Sequence, residues 1–216
     1  SIETTDVTSY GIFHWGNNNT ANVSGTITTG GSASHGISNS GNKNINAVSG
    51  SIKTTGLNAH GVSNTGEANI TTLSGSIETS LNGAYGIHTT NGNNNTVNVS
   101  GTITTGGYTG FGIFHWGNAN NTTKVSGSIK TTGELAHGIF NSGDGGSNTN
   151  PISGSITTRG KDSVGIANFG GKNTTTMSGS ITTIGESAYG IQSYGDTNTT
   201  TMSGSITTSG EKGYGI

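Results

Sequence analysis

The chain contains no cysteine, a single proline and few charged residues, which make up only 8% of its 216 positions. Without cysteine it forms neither disulfides nor thiolate metal sites, so its stability has to come from packing and hydrogen bonding. Its formal net charge of −2 gives no electrostatic reason to bind nucleic acid or an anionic membrane surface, and neither is expected as a partner. No apolar run approaches the roughly 18 residues of a membrane span, so direct membrane insertion is not expected.

The abundant residues recur in a fixed order. Glycine alone contributes 40 residues, and glycine, serine, threonine and asparagine dominate the composition. Disordered low-complexity segments share such a composition, but here the few apolar residues fall at fixed positions of a repeat. Successive repeats are 25, 25, 26, 26, 27, 25 and 25 residues apart, and a period this regular predicts a solenoid. The repeat is marked by a Ser-Gly dipeptide that begins at Ser24, Ser49, Ser74, Ser100, Ser126, Ser153, Ser178 and Ser203.

Each repeat contains apolar positions with the spacing of β-strands. One isoleucine column runs from Ile2 to Ile206, and a second aliphatic column follows ten residues later, from Ile12 to Ile216. Around the first column, apolar or small residues alternate with serine and threonine, which is the period of a half-buried strand. β-Branched residues and frequent glycine disfavour a helix. We therefore predict an all-β fold, a single-stranded parallel β-helix with three short strands per rung of about 25 residues.

The whole chain, residues 1–216, is predicted to form one β-solenoid of about nine rungs. It begins and ends inside a repeat, and we expect it to be a fragment of a longer array. One rung buries only a few aliphatic side chains, at roughly 2 kcal/mol each, which does not offset the entropy lost when the rung is ordered. Several rungs must therefore stack before the fold is stable.

Two polar columns and one glycine column are predicted to shape the interior and the corners. Threonine lies two residues after the first isoleucine in all nine repeats, where it faces inward and needs a hydrogen-bond partner. Glycine, replaced once by Asn91, lies four residues after the second aliphatic column, as a left-handed backbone position requires. Asparagine occupies one position of all eight complete repeats, which predicts a structural ladder of amides bonded from rung to rung and to the corner backbone. Its members are Asn19, Asn44, Asn69, Asn95, Asn121, Asn148, Asn173 and Asn198.

Few residues have the spacing that a catalytic site or a metal site requires. The ten acidic residues are dispersed, and the closest pair by register, Glu186 and Glu211, fits a solvated corner better than a catalytic site. Three histidines, His35, His60 and His137, share one position of the repeat with tyrosine and phenylalanine. This favours stacking over metal binding, because no third ligand is visible. We therefore predict no enzymatic activity, no catalytic residue, no metal and no cofactor.

Two short motifs are attributed to composition. Glycosylation sequons such as Asn18-Asn19-Thr20 occur, but repeats rich in asparagine and threonine generate such triplets without selection for a glycan. The segment Gly143-Asp144-Gly145-Gly146 is an isolated imitation of a calcium-binding repeat. Neither motif predicts a site.

Aromatic residues make up only 6% of the chain, yet one aromatic motif occurs twice. The segment Ile12-Phe13-His14-Trp15-Gly16-Asn17 returns four rungs later as Ile113-Phe114-His115-Trp116-Gly117-Asn118. If the isoleucine faces inward, alternation points the phenylalanine and the tryptophan outward, where exposed aromatic side chains mark a binding site. The alternative is that this flank curls inward or is covered by the adjacent corner, and the sequence leaves both open. The candidate binding residues are Phe13, Trp15, Phe114 and Trp116.

The pattern Ser-Gly-Ser-Ile-Thr-Thr-x-Gly-x-x-Ala-Tyr-Gly-Ile, clearest from Ser178 to Ile191, resembles the repeats of large bacterial autotransporter passenger domains and related surface adhesins. The resemblance extends over the whole chain and is specific for architecture rather than for activity. It implies a right-handed β-helix that is secreted or displayed at the bacterial cell surface, in a group whose members are often adhesive.

Two functions of different class follow and remain open. The first is an extracellular adhesin stalk or passenger that presents the aromatic stripe to surface glycans or proteins. The alternative is a structural subunit of an extracellular filament or sheath, built by stacking and lateral packing of solenoids, whose partner is a second copy of itself.

Overall fold

The computed structural model describes residues 1–117, 120–143 and 147–216, and these ranges form an all-β solenoid without any helix. Their strands form three parallel sheets, which we name A, B and C in the order in which each turn visits them. Sheet A contains β1 (Ile2–Thr4), β4 (Thr26–Thr29), β7 (Ser51–Thr54), β10 (Ser76–Thr79), β13 (Thr102–Thr105), β16 (Ser128–Thr131), β19 (Ser155–Thr158), β22 (Ser180–Ile184) and β25 (Ser205–Ser209). Sheet B contains β2 (Ile12–Trp15), β5 (Ile37–Ser40), β8 (Val62–Thr65), β11 (Ile87–Thr90), β14 (Ile113–Trp116), β17 (Ile139–Ser142), β20 (Val164–Phe169) and β23 (Tyr189–Tyr194). Sheet C contains β3 (Thr20–Val23), β6 (Ile45–Val48), β9 (Ile70–Leu73), β12 (Thr96–Val99), β15 (Thr122–Val125), β18 (Thr149–Ile152), β21 (Thr174–Met177) and β24 (Thr199–Met202).

Strands of successive turns pair in parallel with their repeat positions aligned. Ile77, for example, lies beside Ile52 on one side and beside Ile103 on the other. Sheet A has nine strands and sheets B and C have eight each, which makes about eight turns. The predicted parallel β-solenoid with three short strands per rung is confirmed. Since neighbouring strands lie about 4.8 Å apart, this is also the rise from one rung to the next.

The interior is a narrow column of stacked aliphatic side chains. In one turn Val99 of sheet C, Ile103 of sheet A and Ile113 of sheet B point inward, and each is at most 1% exposed. Their equivalents in the turns between the two ends of the solenoid join them in a single buried cluster. The buried and exposed residues alternate along β13, as the period of two in the sequence predicts.

In the first six turns, the inward threonine of sheet A closes the corner that leads to sheet B, whereas the hydroxyls of Thr158 and Thr183 are buried without a hydrogen-bond partner. Thr29 Oγ1 donates a hydrogen bond to the carbonyl oxygen of Ser34 at 2.6 Å, and Thr131 Oγ1 donates to that of Ala136 at 2.6 Å. Each bond reaches five residues ahead within one turn. It therefore satisfies a buried hydroxyl and fixes the corner at the same time.

The asparagine ladder lies at the corner between sheets B and C. The backbone N–H of Asn19 donates to Oδ1 of Asn44 at 2.8 Å, and the same contact links each member to the next through Asn198. In four rungs the side-chain amide also donates to the corner backbone of its own rung, as in the 3.0 Å bond from Asn95 Nδ2 to the carbonyl oxygen of Gly92, whereas Nδ2 of Asn44 and of Asn69 is buried without a partner. Six of the eight ladder side chains are at most 3% exposed: Asn44, Asn69, Asn95, Asn121, Asn148 and Asn173.

The corner backbone has a positive φ angle at six glycines of this column: Gly16, Gly41, Gly66, Gly117, Gly170 and Gly195. The φ angles of Gly41 and Gly117 are 143° and 95°, and that of Asn91, the one substitute, is 56°. Asn18 and Asn94, which directly precede ladder members, are also left-handed, with φ angles of 60° and 59°. Asparagine tolerates this conformation better than most residues, which explains why it replaces glycine here.

A second polar network, which was not predicted from the sequence, crosses the core between sheets B and C. Asn39 Nδ2 donates to Oδ1 of Asn46 in its own turn at 2.9 Å and to Oδ1 of Asn64 in the next turn at 2.8 Å. Asn64 Nδ2 in turn donates to Thr71 Oγ1 at 3.0 Å, and these four side chains are at most 1% exposed. A register slip would leave these buried amides unpaired, so the network helps to specify the stacking.

Candidate functional site on the outer face of sheet B

Every phenylalanine, tyrosine and tryptophan of the chain except Tyr108 lies on the outer face of sheet B or two residues before the second aliphatic column, and Tyr108 lies earlier in the corner between sheets A and B. Three columns make up this surface, which we call the aromatic face. The corner column consists of Tyr10, His35, His60, Tyr85, Phe111, His137, Val164, Tyr189 and Tyr214. The first outer column consists of Phe13, Ser38, Ser63, His88, Phe114, Phe140, Ala167 and Gln192. The second outer column consists of Trp15, Ser40, Thr65, Thr90, Trp116, Ser142, Phe169 and Tyr194.

The rings of the corner column stack face to face. The centroids of His35 and His60 are 4.6 Å apart with an interplanar angle of 5°, and those of His60 and Tyr85 are 4.6 Å apart at 6°. The stack continues through Phe111 to His137, with centroids 5.2 Å and 5.0 Å apart. The rise of a rung is close to the stacking distance of flat rings, so the repeat places them in contact without strain.

The stacked imidazoles also bond to the backbone of the next rung. The N–H of His60 donates to Nδ1 of His35 at 3.0 Å, that of Tyr85 to Nδ1 of His60 at 3.1 Å, and that of Val164 to Nδ1 of His137 at 2.9 Å. An Nδ1 that accepts a hydrogen bond belongs to a neutral ring with its proton on Nε2. Burial lowers the pKa of His35 and of His137 to about 4. Burial, followed by the nearby His88 and His35 rings, lowers the pKa of His60 well below its usual value.

Three of the four predicted binding residues are exposed on this face. Phe13 is 48% exposed, Trp15 is 81% exposed and Trp116 is 55% exposed. The expectation of an exposed Phe114 is wrong, because its ring is only 7% exposed although it lies on the outer side of the sheet. It stacks on His88 with centroids 5.3 Å apart, and Phe111, Phe140 and Trp116 pack against it at 5.1, 5.2 and 5.6 Å.

Each copy of the aromatic motif has one histidine that points inward, and the two histidines differ in burial and in hydrogen-bond partners. His14 Nδ1 contacts Asn39 Oδ1 at 3.0 Å near the surface. His115 is 1% exposed and lies between Thr89 Oγ1, 2.5 Å from its Nδ1, and Thr123 Oγ1, 2.6 Å from its Nε2. Burial, with a smaller contribution from His88, lowers the pKa of His115 to about 3.

Some positions singled out in the sequence lie elsewhere. Glu186 and Glu211 are exposed at the corner between sheets A and B, where Lys161 Nζ lies 3.3 Å from Glu186 Oε2. Asn118 of the second aromatic motif and Asp144 to Gly146 of the partial calcium motif lie outside the described residues. Within 1–117, 120–143 and 147–216, no three histidine, aspartate or glutamate side chains are grouped so that they could hold a metal ion.

We found no match to this chain among protein-family models, curated proteins or solved structures. In the part of the chain that the structure describes, no helix has the length and apolar character needed to cross a membrane. A functional assignment therefore depends on the geometry of the aromatic face and on the resemblance of the repeats.

Proposed function

We propose that the protein is a non-enzymatic adhesin stalk, secreted to or displayed on a bacterial cell surface, that contacts its partner through the aromatic face. The observation that carries this proposal is the exposure of Trp15, at 81%, and Trp116, at 55%, on one flank of the solenoid. Tryptophan is the side chain that most often anchors a protein interface, and exposed aromatic clusters mark contact sites. The resemblance of the repeats to autotransporter passengers supports the surface location.

The repeat geometry supports contact with an extended partner. Trp15 and Trp116 occupy the same column four rungs apart, so about 19 Å separates their positions along the solenoid axis. The strands from Trp15 to Trp116 pair in parallel without a gap, which keeps the two tryptophans at a fixed distance. Two anchors at a fixed distance bind a repetitive surface more tightly than either anchor alone, because the second contact forms within an existing complex.

The three imidazoles of the corner column also support binding rather than catalysis. In His35, His60 and His137, Nδ1 accepts a backbone N–H and Nε2 carries the proton. No nitrogen of these rings is then left to accept a proton from a substrate, as a general base must. Their role in the proposal is to form the flat, uncharged wall of the face.

The adhesin proposal is tested by coating beads with the protein and measuring their retention under flow on bacterial and epithelial cell layers. We expect coated beads to be retained better than bare beads. The double substitution Trp15→Ala and Trp116→Ala should reduce this retention about tenfold or more, because truncating an interface anchor removes most of its binding energy.

Tyr108→Ala is the matched control, because this tyrosine is 47% exposed but lies outside the aromatic face. It should leave retention unchanged, and circular dichroism should show all variants folded. Coated beads that are retained no better than bare beads, or a tryptophan double variant that is retained like the wild type, would overturn the proposal.

A structural role in a filament or sheath is favoured by a different surface. Ile45 and Ile70 lie side by side on the outer face of sheet C and are 43% and 38% exposed. The other members of this column are threonines: Thr20, Thr96, Thr122, Thr149, Thr174 and Thr199. Two adjacent isoleucines in a threonine column form an apolar patch that lateral packing of two solenoids would cover.

If lateral packing uses this patch, Ile45→Thr with Ile70→Thr should abolish concentration-dependent self-association while the fold is kept. Threonine is the residue that the column carries elsewhere, and it retains the β-branched shape that suits a strand. Analytical ultracentrifugation at increasing concentration measures the effect. A wild type that stays monomeric, or a double variant that still associates, would exclude packing through sheet C.

A further inference from the structure

The aromatic face is recessed between its two tryptophans. Over the three intervening rungs, the two outer columns carry one large side chain, His88, and otherwise only serine and threonine. We call this recess the trough. Trp15 and Trp116 close its ends about 19 Å apart. Its floor consists of Ser38, Ser40, Ser63, Thr65 and Thr90.

The trough has an aromatic wall and a defined depression. His35, His60 and Tyr85 of the corner column stack along one side of it. At the Trp116 end, a depression of about 370 Å³ is bounded among others by His60, Tyr85, His88, Thr90, Phe114 and Trp116. Flat rings, hydroxyl groups and an open depression therefore lie within a few rungs of one another.

The trough carries no charge. No strand of sheet B contains an aspartate, glutamate, lysine or arginine. At the corner that follows sheet B in these rungs, the charged side chains are Lys43 and Glu67, one of each sign. A charged polymer would lose hydration here without meeting an opposite charge, so the surface favours a neutral ligand.

We infer that the trough binds a neutral polysaccharide, with sugar rings packed on Trp15 and Trp116 and sugar hydroxyls bonded to the serine and threonine floor. A pyranose ring has an apolar C–H face and a rim of hydroxyl groups, so it requires an aromatic surface and hydroxyl partners side by side. This inference rests on the proposed adhesive function and names the class of its ligand.

A second copy of the chain fits the trough less well. Two aromatic faces in contact would meet at the projecting tryptophans and leave the recess between them unfilled. An unfilled gap forfeits the dispersion contacts that stabilise an interface. A polymer one ring wide reaches the floor and the tryptophans together.

Affinity gel electrophoresis tests the inference with hydroxyethylcellulose and konjac glucomannan as neutral probes and alginate as an anionic probe. We expect at least one neutral polysaccharide to retard the protein and alginate not to retard it. Trp116→Ala should weaken the affinity for the neutral probe about tenfold, and Tyr108→Ala should not change it.

The substitution Ser63→Phe distinguishes binding within the trough from binding to any exposed aromatic surface. Phenylalanine is already present in this column at Phe114 and Phe140, so the variant introduces a side chain that the face accommodates, and it fills the recess. Binding to the trough should be lost in this variant, whereas self-association through aromatic contact should increase.

The inference is overturned if neither neutral polysaccharide retards the wild type, or if folded Ser63→Phe is retarded like the wild type. If the neutral probes fail while the tryptophan double variant still lowers bead retention, the adhesin proposal holds and the ligand class is wrong. If both assays fail, the aromatic face is not a binding site.

Discussion

Replacing Gly112 by alanine is expected to destabilise the solenoid by about 3 kcal/mol or more, the upper end of the usual cost of overpacking. A Cβ atom at this position would lie 2.5 Å from the carbonyl oxygen of Gly138 and closer still to Cγ2 of Ile129, whereas Cβ atoms essentially never approach other atoms within 3.0 Å. Neither neighbour can withdraw freely. The Gly138 oxygen accepts the N–H of Ile113 at 3.0 Å, and Ile129 is 1% exposed in the core. Urea unfolding of the variant and the wild type measures the difference.

Gly25→Ala is the matched control for this prediction. A Cβ atom at Gly25 would meet nothing within 4 Å, so the free energy of unfolding should stay within about 0.5 kcal/mol of the wild type. Equal stabilities of the two variants would show that the chain does not pass as close to Gly112 as the structure places it.

The register of the rungs could be predicted because every turn repeats the same apolar spacing. The two aliphatic columns are ten positions apart in every repeat, so the sequence places Ile27 and Ile37 on consecutive strands of one turn. A period of two then decided which residues face inward, as in β13. The left-handed corner was also predictable, because glycine and Asn91 share a conformation that other residues disfavour.

The exposure of Phe114 could not be predicted in the same way. Alternation states only that its side chain lies on the outer side of the sheet. Whether water reaches the ring depends on the outer residues of the neighbouring rungs, and those are His88 on one side and Phe140 on the other. Phe13, with the same motif, has the small Ser38 as its neighbour and stays 48% exposed.

The buried amide network was missed for a related reason. Asn39 and Asn46 lie in different sheets and are seven residues apart, so their contact depends on how the corner between them folds. Asparagine is also abundant at the surface of this chain, and its composition carries no signal of burial. An inward position by alternation, occupied by a polar residue in several rungs, was the signal that could have identified the network.

Acidification from pH 6 to pH 5 is expected to remove a large part of the solenoid's stability. Burial lowers the pKa of five histidines, to about 4 for His35, His88 and His137, to about 3 for His115 and well below its usual value for His60. In the unfolded chain a histidine has a pKa of about 6.5. Below that pH the unfolded state therefore binds protons that the folded state does not, and stability falls with pH until the folded pKa values are reached.

The size of the effect follows from the number of protons. Each such histidine contributes at most about 1.4 kcal/mol per pH unit, so five contribute up to about 7 kcal/mol per pH unit. A loss of this size is comparable to the whole free energy of unfolding of many domains, which is about 5–15 kcal/mol. Urea unfolding at pH 7, 6, 5.5 and 5 measures the slope, and a free energy of unfolding that is constant over this range would contradict the burial of these rings.

His115→Asn isolates one contribution to that slope. Asparagine occupies the same inward column at Asn141, so the core accommodates it, and it cannot take up a proton. On acidification, the free energy of unfolding of the variant should therefore fall less steeply than that of the wild type. The difference between the two slopes should be about 1.4 kcal/mol per pH unit, whatever the stability of the variant at pH 7. Asn64→Thr is the control, because threonine already occupies the equivalent position of the next rung at Thr89. This variant alters the buried network without changing a titrating group, so it should keep the wild-type slope. The slope distinguishes a proton effect from a packing effect because a lost contact lowers the unfolding free energy equally at every pH.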